Sequence, residues 1–166
     1  MRNDLEEKLG EKYPFMKKGR TLAEQRQSGH IDDLYSAFGC ECSNGWFNLL
    51  DEMCAKINDA YIEEKMKPDI IIDQIKEKYG TLRFYYHFEG NDPFIHAFDA
   101  IGAGTLRIKP KGDKPVYEKI SEIVSWGEEQ SGHICEICGK PGELRNNGWL
   151  MLRCDECWKK QNKHRI

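Results

Sequence analysis

The sequence predicts an α+β protein: helices packed on a small antiparallel sheet, followed by a C-terminal zinc module of treble-clef or zinc-ribbon type. Three observations carry that expectation. Apolar residues recur at helical spacing over 44–65, apolar and polar residues alternate over 82–89, and the last quarter of the chain holds two Cys-x2-Cys pairs.

Residues 4–12 read as a short helix opened by Asp4. Residues 17–33 are polar, contain Gly19 and Gly29, and are expected to form a loosely structured connector. From Asn44, placed to cap the start, Trp46, Leu49, Leu50, Met53, Cys54, Ile57 and Tyr61 recur at three- and four-residue spacing, which is one face of an amphipathic helix closed off by Pro68. Residues 70–89 read as a β-hairpin turning at Gly80-Thr81. Leu82, Phe84, Tyr86 and Phe88 share one face; Arg83, Tyr85, His87 and Glu89 share the other. The arm 70–79 also fits a helix through Ile71, Ile75 and Tyr79, and the strand reading is preferred. Asp92-Pro93 resembles a cap and first turn, opening a short helix through Ile101 that Gly102 and Gly104 end. A short strand over 105–109 and a polar connector over 111–115 follow. Helical spacing returns with Val116, Ile120, Ile123 and Val124, with Gly127 as its stop. Ser131-Gly132 then punctuates the chain, dividing an α+β domain over 1–130 from a zinc-binding module over 131–166.

In that module the spacing is Cys135-x2-Cys138-x15-Cys154-x2-Cys157. Two intervening residues let both thiolates of a pair turn toward one ion, and a second pair completes a tetrahedral set of sulfurs for Zn2+. Four protein thiolates leave zinc no open position for chemistry. Gly139 permits the tight backbone of a knuckle, Asn146-Asn147-Gly148 marks a hairpin reversal, and the residues after Cys154 are helix formers. His133 and His164 flank the site and are not expected to ligate. Cys40, Cys42 and Cys54, with His30 upstream, are read as core thiols. Trp46 is expected in the core, and Trp149 is expected either exposed or packed across the module onto the main domain.

Net charge is −3, which argues against a strongly basic nucleic-acid binder. A mean hydropathy of −0.72 and the absence of a long apolar run argue for a soluble protein without a membrane span. With no apolar leader, a cytoplasmic location is expected, where metal ligation is a better use of paired cysteines than disulfides. No phosphate-binding glycine loop, nucleophile elbow or catalytic carboxylate pair is recognisable, so no catalytic residue is assigned.

Three blocks carry a resemblance: Gly45-Trp46-Phe47, then Gln74 to Tyr86 (QIKEKYGTLRFYY), then Cys135 to Arg145 (CEICGKPGELR). In these the chain resembles small phage and prophage proteins of uncharacterised function, over roughly residues 38–158. The zinc half is also similar to the finger of DksA/TraR-type RNA polymerase regulators, but its inter-pair spacing departs from theirs and no long coiled coil precedes it. The resemblance implies a viral or mobile-element origin and no activity. Three functional readings follow. The first is a non-enzymatic accessory protein that binds and inhibits a host macromolecule, with a host protein as partner. The second is a binder that sequesters a nucleotide signal through Arg83, Tyr85 and His87. The third is a nucleic-acid-binding finger using Arg145, Arg153, Lys159, Lys160, Lys163 and Arg165.

Overall fold

Alternating apolar side chains over 82–88 need a face to bury, and that need organises the body of the protein. The computed structural model describes residues 1–29, 33–90, 97–100, 104–107 and 114–163. Along the chain these form α1 (Asn3–Lys12), α2 (Leu22–Gln27), α3 (Leu34–Phe38), β1 (Cys40–Glu41), α4 (Phe47–Glu63), β2 (Ile70–Lys78) and β3 (Thr81–Phe88). They continue as β4 (Ala97–Ala100), β5 (Gly104–Arg107), α5 (Pro115–Ser131), β6 (Glu143–Asn146), β7 (Leu150–Arg153) and α6 (Asp155–Lys163). The fold is α+β, as the sequence predicts. One sheet has the order β1-β2-β3, with β1 parallel to β2 and β3 antiparallel to it; β4-β5 and β6-β7 are separate two-stranded sheets.

The 70–79 arm is a strand, and a bulge sets which of its side chains are buried. The register of β2 on β3 shifts between Ile72 and Gln74, so Asp73 is the extra residue. Without it Ile75 would face away from Ile70 and Ile72; with it all three are buried together. The turn falls one residue earlier than Gly80-Thr81. Tyr79 and Gly80 form it, with φ of 55° and 80°. Two left-handed residues in succession are what a type I′ turn requires, and its twist matches that of the flanking strands.

Helix α4 carries the expected apolar face, with Leu49, Leu50, Met53, Cys54, Ile57 and Tyr61 all buried. Each fully buried aliphatic side chain contributes roughly 1.5–3 kcal/mol. Asn44 does not cap this helix. It opens a 3-10 turn over Asn44–Trp46, and its Oδ1 accepts from Arg2 N at 2.9 Å. Nor does Asp4 cap α1: it lies in the first turn, paired with Arg2.

Three further expectations are corrected. Within the stretch expected as a loose connector, Leu22–Gln27 form α2, which begins with a reciprocal capping box between Thr21 and Glu24, while residues 30–32 lie outside the described residues. The helix expected through Ile101 is replaced over 97–100 by β4, which pairs with β5, while Asp92 and Pro93 lie outside the described residues. A helix that short is marginal, and a paired strand satisfies more of its backbone. Gly104 accordingly opens β5. Gly127 does not stop α5 either. It lies within the helix where α5 crosses α4, and a Cβ there would stand 2.2 Å from Met53 Sδ. Glycine is the contact surface, not a terminator.

Helix α5 also covers the free edge of β3. Ser131 Oγ accepts from Leu82 N at 2.8 Å and Glu128 Oε1 from Phe84 N at 2.9 Å. This satisfies strand donors that would otherwise point to nothing. No helix among the described residues is long and apolar enough to cross a membrane.

Asp69 ties the far end of the body together. Its carboxylate accepts from Tyr61 Oη at 2.8 Å and from Tyr117 Oη at 2.6 Å, joining α4, the approach to β2, and α5. Partial burial acts to raise its pKa, but the two hydroxyls and Lys114 outweigh that and hold it below the ordinary aspartate value. A depressed folded-state pKa adds stability above the unfolded value near pH 4, and that stability is lost as pH falls through the folded one. Urea midpoints should therefore drop further between pH 6 and pH 3 for the wild type than for Asp69→Asn. Equal drops would show that the cluster adds no pH-dependent stability.

Candidate metal centre

The two Cys-x2-Cys pairs meet in space. The Sγ atoms of Cys135, Cys138, Cys154 and Cys157 all lie within 4.8 Å of one another. Those of Cys138 and Cys154 are 3.6 Å apart. Four sulfurs each about 2.3 Å from a zinc ion stand about 3.8 Å from one another in a tetrahedron, so the cluster has the dimensions of a metal cage.

Local backbone places each pair. The first lies on a knuckle, where Gly139 N donates to Cys135 O at 2.8 Å and Cys135 N donates to Lys140 O at 2.7 Å. Gly139 has φ of 76°, which a side chain would strain. An Ile134–Pro141 bridge closes the base of the knuckle. The chain then runs through the β6–β7 hairpin and reverses near Gly148, whose N donates to Asn146 Oδ1. Cys154 directly precedes α6 and Cys157 sits in its first turn, with Cys157 N 3.5 Å from Cys154 Sγ. The order is knuckle, hairpin, helix.

The sulfurs repel one another as anions. Burial raises the Cys135 thiol, yet the N–H groups of Cys154, Cys138 and Ile137 bring it down to about 7. Cys157 is pushed up to about 12, by burial and then by the other three sulfurs. Burial is also the main cause raising Cys138. The Cys135 thiolate forms readily while Cys138 and Cys157 resist, which is the electrostatic situation a divalent cation relieves. These residues could hold a metal ion, and an all-sulfur set suits zinc.

The knuckle does not stand alone. Gly45 N donates to Glu136 O at 2.7 Å, and the indole Nε1 of the fully buried Trp46 donates to Ile134 O at 2.8 Å. Glu136, inside the first Cys-x2-Cys and only 7% exposed, accepts from Ser43 N at 3.0 Å and Ser43 Oγ at 2.7 Å through Oε1. Its Oε2 accepts from Arg153 Nη1 at 2.7 Å. Sequence reasoning missed Glu136, because an acidic residue between two cysteines reads as a solvated filler. The visible signal was Gly45-Trp46, a glycine beside a large aromatic.

The other sequence-predicted residues are placed as follows. Arg145 pairs with Glu143 and Asp155, and Arg153 with Glu136, so both arginines are engaged within the finger. Lys159 and Lys160 are exposed on α6; Lys163 ends that helix, and His164 and Arg165 lie outside the described residues. On the polar face of β3, Arg83 is buried, with Nη1 donating to Thr81 Oγ1 and Leu82 O. Lys76 sits over the Tyr85 ring, and His87 Nδ1 is 2.8 Å from Asp73 Oδ1. His133 is exposed at the foot of the knuckle, Trp149 is 69% exposed, and His30 lies outside the described residues.

Cys40, Cys42 and Cys54 are buried in the body core, as expected, and burial raises all three thiols, Cys42 to about 12. Iodoacetamide applied to the folded protein at pH 7.5 without chelator should therefore leave these three unmodified until urea is added, as read by peptide mass spectrometry. Early labelling of Cys42 or Cys54 would contradict the buried placement.

No protein-family model matches the chain, and neither a curated protein nor a solved structure matches it.

Proposed function

We propose that the chain is a non-enzymatic binding protein whose finger is held by a structural Zn2+ ion at Cys135, Cys138, Cys154 and Cys157. In this reading it acts as a phage-type accessory protein that binds and inhibits a host protein. The observation that carries the proposal is the four-sulfur cluster, which fills the coordination of zinc and leaves no position for a substrate or water.

Energetics support a structural ion. The finger buries few apolar side chains of its own, Met151 and Leu152 foremost. A module with so small a core needs a further source of folding free energy, and a structural ion bound by four thiolates supplies one. The knuckle, hairpin and helix order supports a treble-clef rather than a ribbon reading.

The side chains left over favour a protein partner. Arg145 and Arg153 are spent on carboxylates within the finger, while Ile137, Leu144 and Trp149 are exposed at 46%, 54% and 69%. Exposed tryptophan and aliphatic groups are the composition of a protein-binding anchor, not of a phosphate-binding groove. The resemblance of residues 38–158 to phage and prophage proteins supports a bacterial host as the setting.

Purified protein is expected to carry one zinc per chain by elemental analysis, and Cys157→Ser to lose it. Affinity purification from a bacterial host lysate should recover one protein partner, and Leu144→Ala/Trp149→Ala should lose that partner while keeping the metal. Recovery of nucleic acid whose binding falls steeply with salt would replace the protein-partner reading.

A further inference from the structure

We propose that zinc occupancy and burial of Trp46 are coupled through Glu136, so that the metal decides whether the finger stays docked on the body. This deepens the structural-zinc reading and rests on it. Glu136 is a positioning residue: it is not one of the four sulfur ligands, yet its two carboxylate oxygens join three parts of the chain. Oε1 receives Ser43 N and Oγ from the body, and Oε2 receives Arg153, the residue before Cys154. Its own backbone lies between Cys135 and Cys138 and accepts Gly45 N. Both cysteine pairs and the 43–46 segment are thus held by one side chain.

The contact is backbone against backbone. A Cβ on Gly45 would stand 2.3 Å from Cys135 O, 2.6 Å from Glu136 O and 2.6 Å from Gly139 N. The body backbone therefore rests directly on the knuckle backbone. The knuckle has this shape when its two sulfurs share an ion. If the ion leaves and the knuckle relaxes, the carbonyls of Ile134 and Glu136 move away from Trp46 Nε1 and Gly45 N. The indole N–H of buried Trp46 and the N–H of half-buried Gly45 then lack partners, and water entering to serve them opens the core beside Trp46. Coupling of this kind is reciprocal: whatever zinc does for docking, docking does for zinc affinity, by the same factor.

The test uses the full chain and Zn2+ alone, titrated against a competing chelator. Glu136→Gln and Ser43→Ala remove docking groups that are not ligands, Gly45→Ala places a methyl group in the backbone contact, and Glu52→Gln alters an exposed α4 side chain outside it. Loss of an outer-shell partner costs about 10–100-fold in metal affinity, so that weakening is expected for Glu136→Gln and Gly45→Ala, with Glu52→Gln within about twofold of wild type. Ser43→Ala deletes one hydroxyl and keeps the fold if Gly45→Ala does not. In parallel, hydrogen exchange at the Trp46 indole N–H, read by NMR, should speed up at least about tenfold when zinc is removed. Wild-type affinity in Glu136→Gln and Ser43→Ala, or Trp46 protection indifferent to zinc, would overturn the coupling while normal zinc uptake leaves the structural-zinc reading intact. Failure of the wild type to take up zinc would sink both.

Discussion

The backbone of Gly45 lies against the backbone of the cysteine knuckle, and the arrangement of the protein depends on that approach. No side chain fits at the position, since a Cβ would fall 2.3 Å from Cys135 O. Because the two backbones touch, the next residue can send its indole into the core and still reach Ile134 O, and α4 can begin directly afterwards. The main apolar helix of the body and the first half of the cysteine cluster are thereby set by the same few atoms.

Two buried carboxylates clamp the segment that carries this contact. Glu6 of α1, 4% exposed, accepts from Cys40 N at 2.8 Å and from Lys18 Nζ at 2.7 Å. Glu136 of the knuckle grips Ser43 from the other side. Each works beside a glycine: Gly39, with φ of 66°, leaves room for the Glu6 carboxylate, and Gly45 leaves room for the knuckle. A charge buried without partners is costly, whereas one that receives two or three charge-assisted hydrogen bonds can hold a backbone in a single register. The stretch from Gly39 to Trp46 has little regular structure of its own, so these clamps specify its path. They also bring β1 to the edge of β2, completing the three-stranded sheet.

What was legible in the sequence was what periodicity and spacing encode. The α4 face, the β3 alternation and the two cysteine pairs each depend on neighbours a few residues away, and each appears where it was expected. Errors arose where distant contacts decide the outcome. The spacing of Ile71, Ile75 and Tyr79 mimicked a helix because residues four apart share a face in helix and strand alike, and pairing alone reveals the bulge at Asp73 that leaves Ile71 exposed and Ile75 buried. Gly127 looked like a stop because its partner, Met53, is far away in sequence. The capping box of α2 could have been read directly from Thr21 and Glu24, and polar composition hid it. Of the site, the sulfurs were legible and their support was not. Glu136 and Arg153 matter through Ser43, a contact spanning 93 positions in the chain.

The same long-range chemistry separates the seven cysteines into two populations. In the finger, backbone N–H groups point at Cys135 and bring its thiol down to about 7, within reach of a thiolate that can start metal binding at neutral pH. In the body, burial holds Cys42 up at about 12, and the negative charges of Glu136, Glu6 and Glu77 act in the same direction. Glu136 therefore works on both groups at once. Its backbone shapes the knuckle that gathers one set of sulfurs, while its carboxylate, pinned on Ser43, helps keep a nearby core thiol protonated. A soft cation meeting this protein finds four convergent sulfurs in one place and buried, neutral thiols in the other, and selection between them follows from dielectric and geometry, since the element is sulfur in both.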